Sequence, residues 1–367
     1  MKFTVSTTPL KSGLNLGIVN ANVTKFYPQS TVVQLSANSN TLTINLGAIS
    51  ILSEIRLRGV GDGDGAIIVD NMLLKQLIAT ITTPQVDLEF AQNALIIHAG
   101  KSTYTLPKVM DVEDAQFPRP KDVSAEEIDT ASELSKDDWK FIKDHQMYAR
   151  GTSTSNPVYT YVWVGESGDV LVSDYITGLF THSSSGNFDN TCLLQESVIN
   201  LLNGLPDGAK LVQRNGIYTA VVITDGYEYI AEFTPKHESE EIGNYNAPII
   251  MNMMFDDERP ISTVSVSDIT TALNQSALLS SNKEPELYLT VDDECVVIKD
   301  DHVNCVIPAT GSPEEPYTIK FASPILKQVI SKCSETTIEI SPVINDNVPS
   351  GIVIGSNKLT VAVAGKI

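Results

Sequence analysis

The sequence has few cysteines, no long apolar run and no recognisable catalytic motif. Its 367 residues include four cysteines that form no C-x-x-C pair, namely Cys192, Cys295, Cys305 and Cys333. Scattered thiols are typical of a reducing compartment, so we expect neither a disulfide framework nor a thiolate metal centre. No apolar run is long enough to span a bilayer, and the N-terminus lacks the layout of a signal peptide. These absences favour a soluble, cytoplasmic protein with no membrane partner.

Motifs that would carry enzymatic chemistry are also missing. The five histidines form no H-E-x-x-H pattern, and the chain has no G-x-x-x-x-G-K-[ST], G-x-G-x-x-G or G-x-S-x-G motif. The GDGDG stretch at 61–65 has the composition of a calcium loop, but its fifth and twelfth positions would be Ala66 and Leu73. We therefore predict no catalytic residue, no metal site, no cofactor and no enzymatic activity.

The acidic charge of the chain is unevenly distributed. The formal net charge is −20 at pH 7. Residues 1–120 hold 9 basic and 9 acidic side chains, residues 121–245 hold 8 and 20, and residues 246–367 hold 8 and 16. Affinity for nucleic acid comes from lysine and arginine, so the total charge argues against a DNA partner. An acidic molecule can still present a local basic stripe, so the positions of the lysines matter more than their number.

Amphipathic helix patterns occur in triplicate along the chain. Two sets begin at intervals of 125 and 127 residues and of 127 and 130 residues, near Val69, Leu194 and Phe321 and near Thr8, Ser135 and Ser265. Repeats of this length exceed any solenoid or propeller unit. They predict three whole domains of one kind in series.

The segments between the helices alternate in the period-2 manner of strands. The clearest examples are 31–37, 41–50, 94–100, 159–164, 218–225, 286–291 and 358–364. Asn215-Gly216 predicts a two-residue hairpin turn, because both positions of that turn need a positive φ. Strands with one apolar side must be covered there by helices, so each third is predicted to be an α+β domain. Polar linkers at 108–130 and 235–247 suggest domains 1–120, 121–245 and 246–367.

One helix carries the clearest basic stripe. Lys136, Lys140 and Lys143 are spaced i, i+4 and i+7 and share a face, beside an apolar stripe marked by Trp139 and Ile142. This face is either a solvated surface with lysine–aspartate pairs or a surface that meets phosphates. No base-reading motif is present, so any DNA would be bound without sequence specificity.

The other helical lysines are sparse and lie opposite apolar sides. On the helix of Lys75, the predicted apolar side consists of Leu73, Leu77 and Ile78. A few lysines spread over several helices would bind phosphates weakly.

Several segments resemble the bacterial β-type DNA sliding clamp, the β subunit of DNA polymerase III. The opening MKFTV is similar to that of the family, and residues 101–118 resemble the end of its first domain, including Phe117-Pro118. SALLSSNKE at 276–284 is similar to the family's A-I-L-S-N-E-K segment, and LVSDYITGLFT at 171–181 lies where the family has T-D-G-H-R-L-A. The resemblance covers the whole chain through order and spacing, with a divergence of the phage-encoded kind.

The resemblance implies a ring-shaped homodimer. In that family, subunits pair head to tail around duplex DNA, with helices lining the hole and sheets forming the outer surface. Such a ring is a processivity factor that tethers a DNA polymerase, and topology rather than affinity retains the DNA. The implied subunit interface pairs Leu278 and Leu279 with Tyr104 and Leu106. The same four residues are also compatible with ordinary core positions.

The resemblance also implies a cleft that binds short peptide motifs of the polymerase and the clamp loader. Carried over by position, it comprises Tyr175, Ile176, Gly178, Leu179, Pro248, Met251, Val361, Val363 and Ile367. The family ends in M-P-M-R-L, whereas this chain ends in V-A-G-K-I. We therefore expect the cleft to be present but reshaped. For DNA, Lys25 and Arg150 lie near positions that contact DNA in the family.

Two other classes of function stay open from the sequence. One is a clamp-shaped hub that recruits transcription or repair factors and serves no replicative polymerase. The other is an acidic, β-rich structural or inhibitory protein that never encircles DNA. The first differs from a processivity clamp in the peptides it binds, and the second would not form a closed dimer.

Overall fold

The computed structural model divides the chain into two compact units. It describes residues 1–17, 31–47, 51–112, 117–146, 157–166, 169–173, 177–182, 188, 191–254, 260–279, 285–311, 313, 315–345, 348–355 and 359–365. The first unit comprises Met1–Lys140 and Gln195–Lys236, and the second comprises Phe141–Leu194 and His237–Ile367.

Helices within the described residues begin and end as follows: α1 Thr7–Gly17, α2 Asn71–Thr80, α3 Ala125–Thr130, α4 Lys136–Gln146, α5 Glu196–Gly204, α6 Ala247–Met254, α7 Val266–Leu279 and α8 Ser323–Ile330. The six predicted helices correspond to α1, α2, α4, α5, α7 and α8. In this part of the chain, no helix is both long and apolar enough to cross a membrane.

The strands of the first unit are β1 Lys2–Ser6, β2 Val32–Ala37, β3 Thr41–Gly47, β4 Ile51–Gly61, β5 Gly65–Asp70, β6 Gln85–Phe90, β7 Ala94–Ala99, β8 Ser102–Pro107, β9 Ser132–Glu133, β14 Lys210–Arg214, β15 Ile217–Ile223 and β16 Tyr227–Phe233. Those of the second unit are β10 Val162–Val164, β11 Asp169–Ser173, β12 Thr177–His182, β13 Cys192–Leu194, β17 Ser262–Ser265, β18 Glu286–Val291, β19 Cys295–Lys299, β20 Asn304–Thr310, β21 Tyr317–Ala322, β22 Thr337–Asn345, β23 Val348–Gly355 and β24 Leu359–Ala364.

The order of these elements repeats three times. Each repeat reads strand, helix, four strands, helix, three strands, and the repeats start at β1, β9 and β17. The short helices α3 and α6 precede the second and third repeats. The chain is therefore an α+β protein, as its alternating patterns predicted.

The first unit is built on one antiparallel sheet. Its strand order is β8-β7-β6-β1-β4-β16-β15-β14-β9; in addition, β3 pairs with β4, β2 pairs with β3, and β5 pairs with β2. Helix α1 packs against β4 and β16. Gly13 permits this close approach, because a Cβ atom there would lie 2.7 Å from Cγ2 of Ile55. The predicted hairpin joins β14 and β15, with φ of 50° at Asn215 and 77° at Gly216.

The second unit is built on a sheet of order β13-β10-β11-β12-β24-β23-β22-β17-β20-β19-β18-β21. Helices α7 and α8 pack on each other over the part of the sheet that includes β21. In this unit Leu287, Leu289 and Phe321 are buried. The alternation of buried and exposed residues along β18 and β21 gives the sheet one apolar face.

Some sequence predictions differ from the structure. Residues 159–164 do not form one strand, because Pro157–Thr160 is a 3-10 turn and β10 starts at Val162. The linkers contain helices: α3 lies in 108–130, and α6 starts at the last residue of 235–247. The pairing of β16 with β4 and of β12 with β24 joins strands of the middle repeat to the first and to the last. The three domain boundaries stay a prediction.

Candidate DNA-facing and partner-binding surfaces

Helix α4 carries the predicted basic stripe. Ser135 precedes the helix, and its Oγ accepts a hydrogen bond from the backbone N–H of Asp138 at 3.4 Å. Trp139 and Ile142 are buried and fix which face of the helix points inward. Lys136 and Lys140 are exposed, and Lys143 is half-buried. This arrangement matches the i, i+4, i+7 spacing and places Lys136 and Lys140 on the exposed side of the helix.

Two lysines on the helices of the first repeat, Lys11 and Lys75, are less exposed than Lys136 and Lys140 of α4. The Lys11 ammonium donates a hydrogen bond to the backbone carbonyl of Ile81. Burial lowers the pKa of Lys75 below its usual value. Both side chains are half-buried, whereas Lys136 and Lys140 are exposed.

The first unit has an apolar depression between α2 and β8. Its volume is about 600 Å³, and it is lined by Leu73, Gln76, Leu77, Thr80, Thr103, Tyr104, Thr105 and Leu106. Leu73 is 50% exposed, although the helix pattern placed it on the apolar side of α2. Tyr104 is half-buried, and Leu106 is 7% exposed. The two predicted interface residues of β8 therefore line this depression, which we call the α2–β8 groove.

The helix start explains the exposure of Leu73. Asp70 caps α2, and its Oδ1 accepts a hydrogen bond from the backbone N–H of Leu73 at 2.8 Å. This cap fixes the helix phase, so that Leu74 and Ile78 are buried. Leu73 therefore lies beside the buried stripe, at the edge of the groove.

The second unit presents an apolar pair at the end of α7. Leu278 is 83% exposed and Leu279 is 58% exposed. One turn earlier, Ser276 is fully buried, and its hydroxyl donates a hydrogen bond to the Asp300 carboxylate. Backbone N–H groups of His302 and Val303 donate to the same carboxylate at 2.7 and 2.6 Å. These hydrogen bonds anchor the end of α7. Because Leu278 and Leu279 are exposed, the interpretation of these two residues as core positions is wrong.

A second apolar centre of this unit lies beside β10, β11 and β13. Its buried residues are Val158, Tyr159, Trp163, Leu171, Leu193, Tyr245 and Ala247. Ile250 and Met251 of α6 pack against it, together with Ala362 of β24. The predicted cleft residue Met251 therefore packs on the Ala362 side of the sheet. Pro248, one position after Ala247, is exposed.

The remaining predicted cleft residues do not all lie on the face of the sheet that Met251 contacts. Val361 and Val363 are buried on the face opposite Ala362, since successive strand residues point to opposite faces. The backbones of Gly178 and Leu179 pair with Ala362 and Val361. Tyr175, Ile176 and Ile367, like the predicted DNA contacts Lys25 and Arg150, lie outside the described residues.

The described residues contain no cluster of three or more histidine, cysteine, aspartate or glutamate side chains that could hold a metal ion. The four cysteines are free. Burial raises the pKa of the Cys192 thiol to about 12 and that of Cys333 to about 11, with the charge of Glu335 as a second cause at Cys333. These two thiols are therefore poor nucleophiles at neutral pH.

Sequence reasoning missed three contributors to these surfaces. They are Leu73 in the α2–β8 groove, helix α6, and Tyr245 in the second apolar centre. The run APIIMNMM of α6 is short and apolar at nearly every position, and Asn246, just before it, has a φ of 55°. The Asp70 cap was readable in the sequence and could have indicated the phase of α2.

Comparison with known proteins shows the fold. No protein-family model matches the sequence, and no curated protein sequence matches it. Solved structures do match. A putative DNA polymerase III β subunit from Eubacterium rectale is 12% identical with a TM-score of 0.80, covering 100% of this chain and 99% of that one.

Two further structures match over 100% of both chains. One is the Helicobacter pylori β clamp bound to a DNA ligase peptide, at 15% identity and a TM-score of 0.71. The other is the Bartonella birtlesii sliding clamp bound to griselimycin, at 14% identity and a TM-score of 0.76. The chain therefore has the sliding-clamp fold along its whole length.

Proposed function

We propose that this chain is a DNA sliding clamp. Two copies join head to tail into a closed ring around duplex DNA, and the ring tethers a DNA polymerase as its processivity factor. It works in the cytoplasm without enzymatic chemistry of its own. Partners, among them the polymerase and a clamp loader, bind through short peptide motifs at the second unit.

The observation that carries this proposal is a pair of unlike apolar surfaces, one in the first repeat and one in the last. The α2–β8 groove belongs to the first repeat, and the exposed Leu278–Leu279 pair belongs to the last. A head-to-tail contact joins two different surfaces of identical subunits, and it yields a closed ring if the rotation closes. A protruding leucine pair opposite an apolar groove fits this kind of contact.

The charge distribution supports a ring that slides. The chain is strongly acidic, while Lys136 and Lys140 on α4 are exposed. A few phosphate contacts give weak, salt-dependent affinity without sequence specificity. Weak affinity suffices when the DNA is topologically enclosed, and it lets the ring move along the duplex.

The test separates enclosure from affinity. The full-length protein is loaded onto linear duplex DNA with biotin at both ends, and retention is measured at high salt with and without streptavidin on those ends. A ring is retained only while the ends are blocked, and it escapes when a restriction enzyme cuts the DNA. Equal loss from blocked and open DNA would contradict enclosure and favour the acidic protein that never encircles DNA.

A further inference from the structure

Tyr245 lies where three backbone segments of the second unit meet. It is 0% exposed, although it belongs to the polar linker 235–247, the connector that leads into α6. Its ring meets the ring of Tyr159 edge-on, with centroids 5.4 Å apart and an interplanar angle of 64°. This packing holds the aromatic ring in one place, so the hydroxyl has a fixed position.

The hydroxyl of Tyr245 bridges the end of β11 and the residue just before β10. It accepts a hydrogen bond from the backbone N–H of Ser173 at 2.6 Å and lies 3.4 Å from the backbone carbonyl of Tyr161, to which it donates. Ser173 is the last residue of β11, and Tyr161 immediately precedes β10. A single side-chain oxygen therefore links both strands to the connector.

The connector itself is anchored at the same residue. The backbone N–H of Tyr245 donates to Oε1 of Glu238 at 2.8 Å, and the connector closes a turn through the N–H of Gly243 and the carbonyl of Ser239 at 2.7 Å. The carbonyl of Asn246 then accepts the N–H groups of Ile249 and Ile250 as α6 begins. The position of Tyr245 therefore sets where α6 starts.

These links join the two parts of the predicted peptide site. Ser173 lies two positions before Tyr175, and its backbone pairs with Gly178 of β12. On the other side, Tyr245 lies three positions before the exposed Pro248. A buried hydrogen-bonded hydroxyl is costly to leave unpaired, so it holds these segments at one spacing.

We propose that the Tyr245 hydroxyl is a positioning group of the partner-peptide site. It fixes the Ser173–Gly178 pair of β11 and β12 relative to the start of α6, so that Gly178 and Pro248 are held at one spacing for an apolar peptide. This inference rests on the proposed function, because it takes the peptide site as given. Preorganisation raises affinity by removing the cost of ordering the site upon binding.

The test compares Tyr245→Phe with Tyr229→Phe in the full-length protein. Tyr229 is a matched control, because it is fully buried in the first unit with its hydroxyl 3.3 Å from Oγ of Ser53. The probes are two fluorescein-labelled ligands, the DNA ligase peptide bound by the Helicobacter pylori clamp and griselimycin. Fluorescence polarisation gives their dissociation constants, and hydrogen exchange reports on the Ser173 amide.

We expect Tyr245→Phe to weaken binding of at least one probe by about three- to tenfold, as loss of one or two hydrogen bonds would. The Ser173 amide should exchange faster, while Tyr229→Phe changes neither quantity. Binding within twofold of the wild type by Tyr245→Phe would overturn the inference. Equal weakening in both variants would also overturn it, since the cause would then be general destabilisation. A wild-type protein that binds neither probe would instead remove the peptide site, and the inference with it.

Discussion

The first and the last repeats share one order of elements but expose apolar residues in different places. The last residues of α7 carry the exposed Leu278–Leu279 pair. The first repeat instead has its apolar exposure in the α2–β8 groove.

This difference shows how a repeated fold can assemble in one direction. Three equal repeats would offer equal surfaces at both ends of the chain. An exposed leucine pair in the last repeat and a groove in the first give the chain two unlike surfaces, which a head-to-tail ring requires.

Substituting Leu279 with aspartate should abolish the dimer. The change removes a leucine that the proposed interface would bury, whose burial contributes about 1.5–3 kcal/mol of binding free energy. It also adds the cost of desolvating a carboxylate. Light scattering should give 39.8 kDa for the variant and twice that mass for the wild type. Ile344→Asp is the matched control, since Ile344 is 54% exposed in the same repeat. Dimeric Leu279→Asp would disprove this interface.

Changing Leu73 to aspartate should weaken the dimer from the opposite side. Leu73 is only half exposed, so we expect a dissociation constant about ten- to a hundredfold higher. Combining Leu73→Lys with Leu279→Asp should restore part of the affinity lost in the single aspartate variant, because the new charges would attract across the contact. Sedimentation velocity measures the dimer dissociation constants of the wild type, Leu73→Asp, Leu73→Lys, Leu279→Asp and the Leu73→Lys/Leu279→Asp double variant. Purely additive losses would mean that the two residues do not meet.

Reversing Lys136, Lys140 and Lys143 to glutamate should leave the dimer intact and weaken its hold on DNA. Each lost phosphate contact lowers the salt slope of binding by about 0.9, so the slope should fall by up to about three. The control reverses three exposed lysines elsewhere, Lys101, Lys121 and Lys236, for the same change in net charge. If both triple variants behave alike, total charge and not the α4 stripe controls DNA binding.

Replacing Ser276 with alanine should loosen the end of α7. The Asp300 carboxylate is partly desolvated, which raises its pKa, but hydrogen bonds from Ser276, His302 and Val303 outweigh this and lower the pKa below 3.8. We expect the dimer dissociation constant to rise about two- to tenfold, the range for one hydrogen bond. An unchanged constant would show that Ser276 does not support the leucine pair.

The same anchor predicts a pH dependence. A depressed carboxylate pKa means that the stabilisation is fully present above the unfolded value of 3.8 and is lost as pH falls through the lower folded value. As the pH falls through the folded pKa of Asp300, the dimer affinity of the wild type should therefore decline more steeply than that of Ser276→Ala. Parallel pH profiles for the two proteins would contradict the role of Asp300.

The periodic parts of the fold could be predicted from the sequence. Six helices followed from apolar spacing, and the β14–β15 turn followed from Asn215-Gly216 because few residues adopt positive φ. Helix α6 could not be predicted, because a short run that is apolar at nearly every position does not distinguish a helix from a buried strand. Tyr159 reads as a strand residue, but it lies in a 3-10 turn packed against Tyr245.

Surface exposure was harder to predict than secondary structure. The face of α4 followed from i, i+4, i+7 spacing, because its helix phase is visible in the sequence. The exposure of Leu73 follows from the phase of α2, but the α2–β8 groove that Leu73 lines forms only when β8 folds back beside the helix. The role of Tyr245 depends on contacts with Tyr161 and Ser173, which are 84 and 72 residues away in sequence. Such long-range contacts leave no local pattern.

The proposed contact between the Leu278–Leu279 pair of one copy and the α2–β8 groove of another can be tested directly by photocrosslinking. A photoreactive phenylalanine analogue replaces Leu278 in one isotope-labelled population, which is mixed with an unlabelled one so that crosslinks between copies are distinguished by mass. Head-to-tail assembly predicts crosslinks from position 278 to residues 73–80 or 103–106 of the other copy. Crosslinks confined to a single copy, or directed to another surface, would contradict the ring.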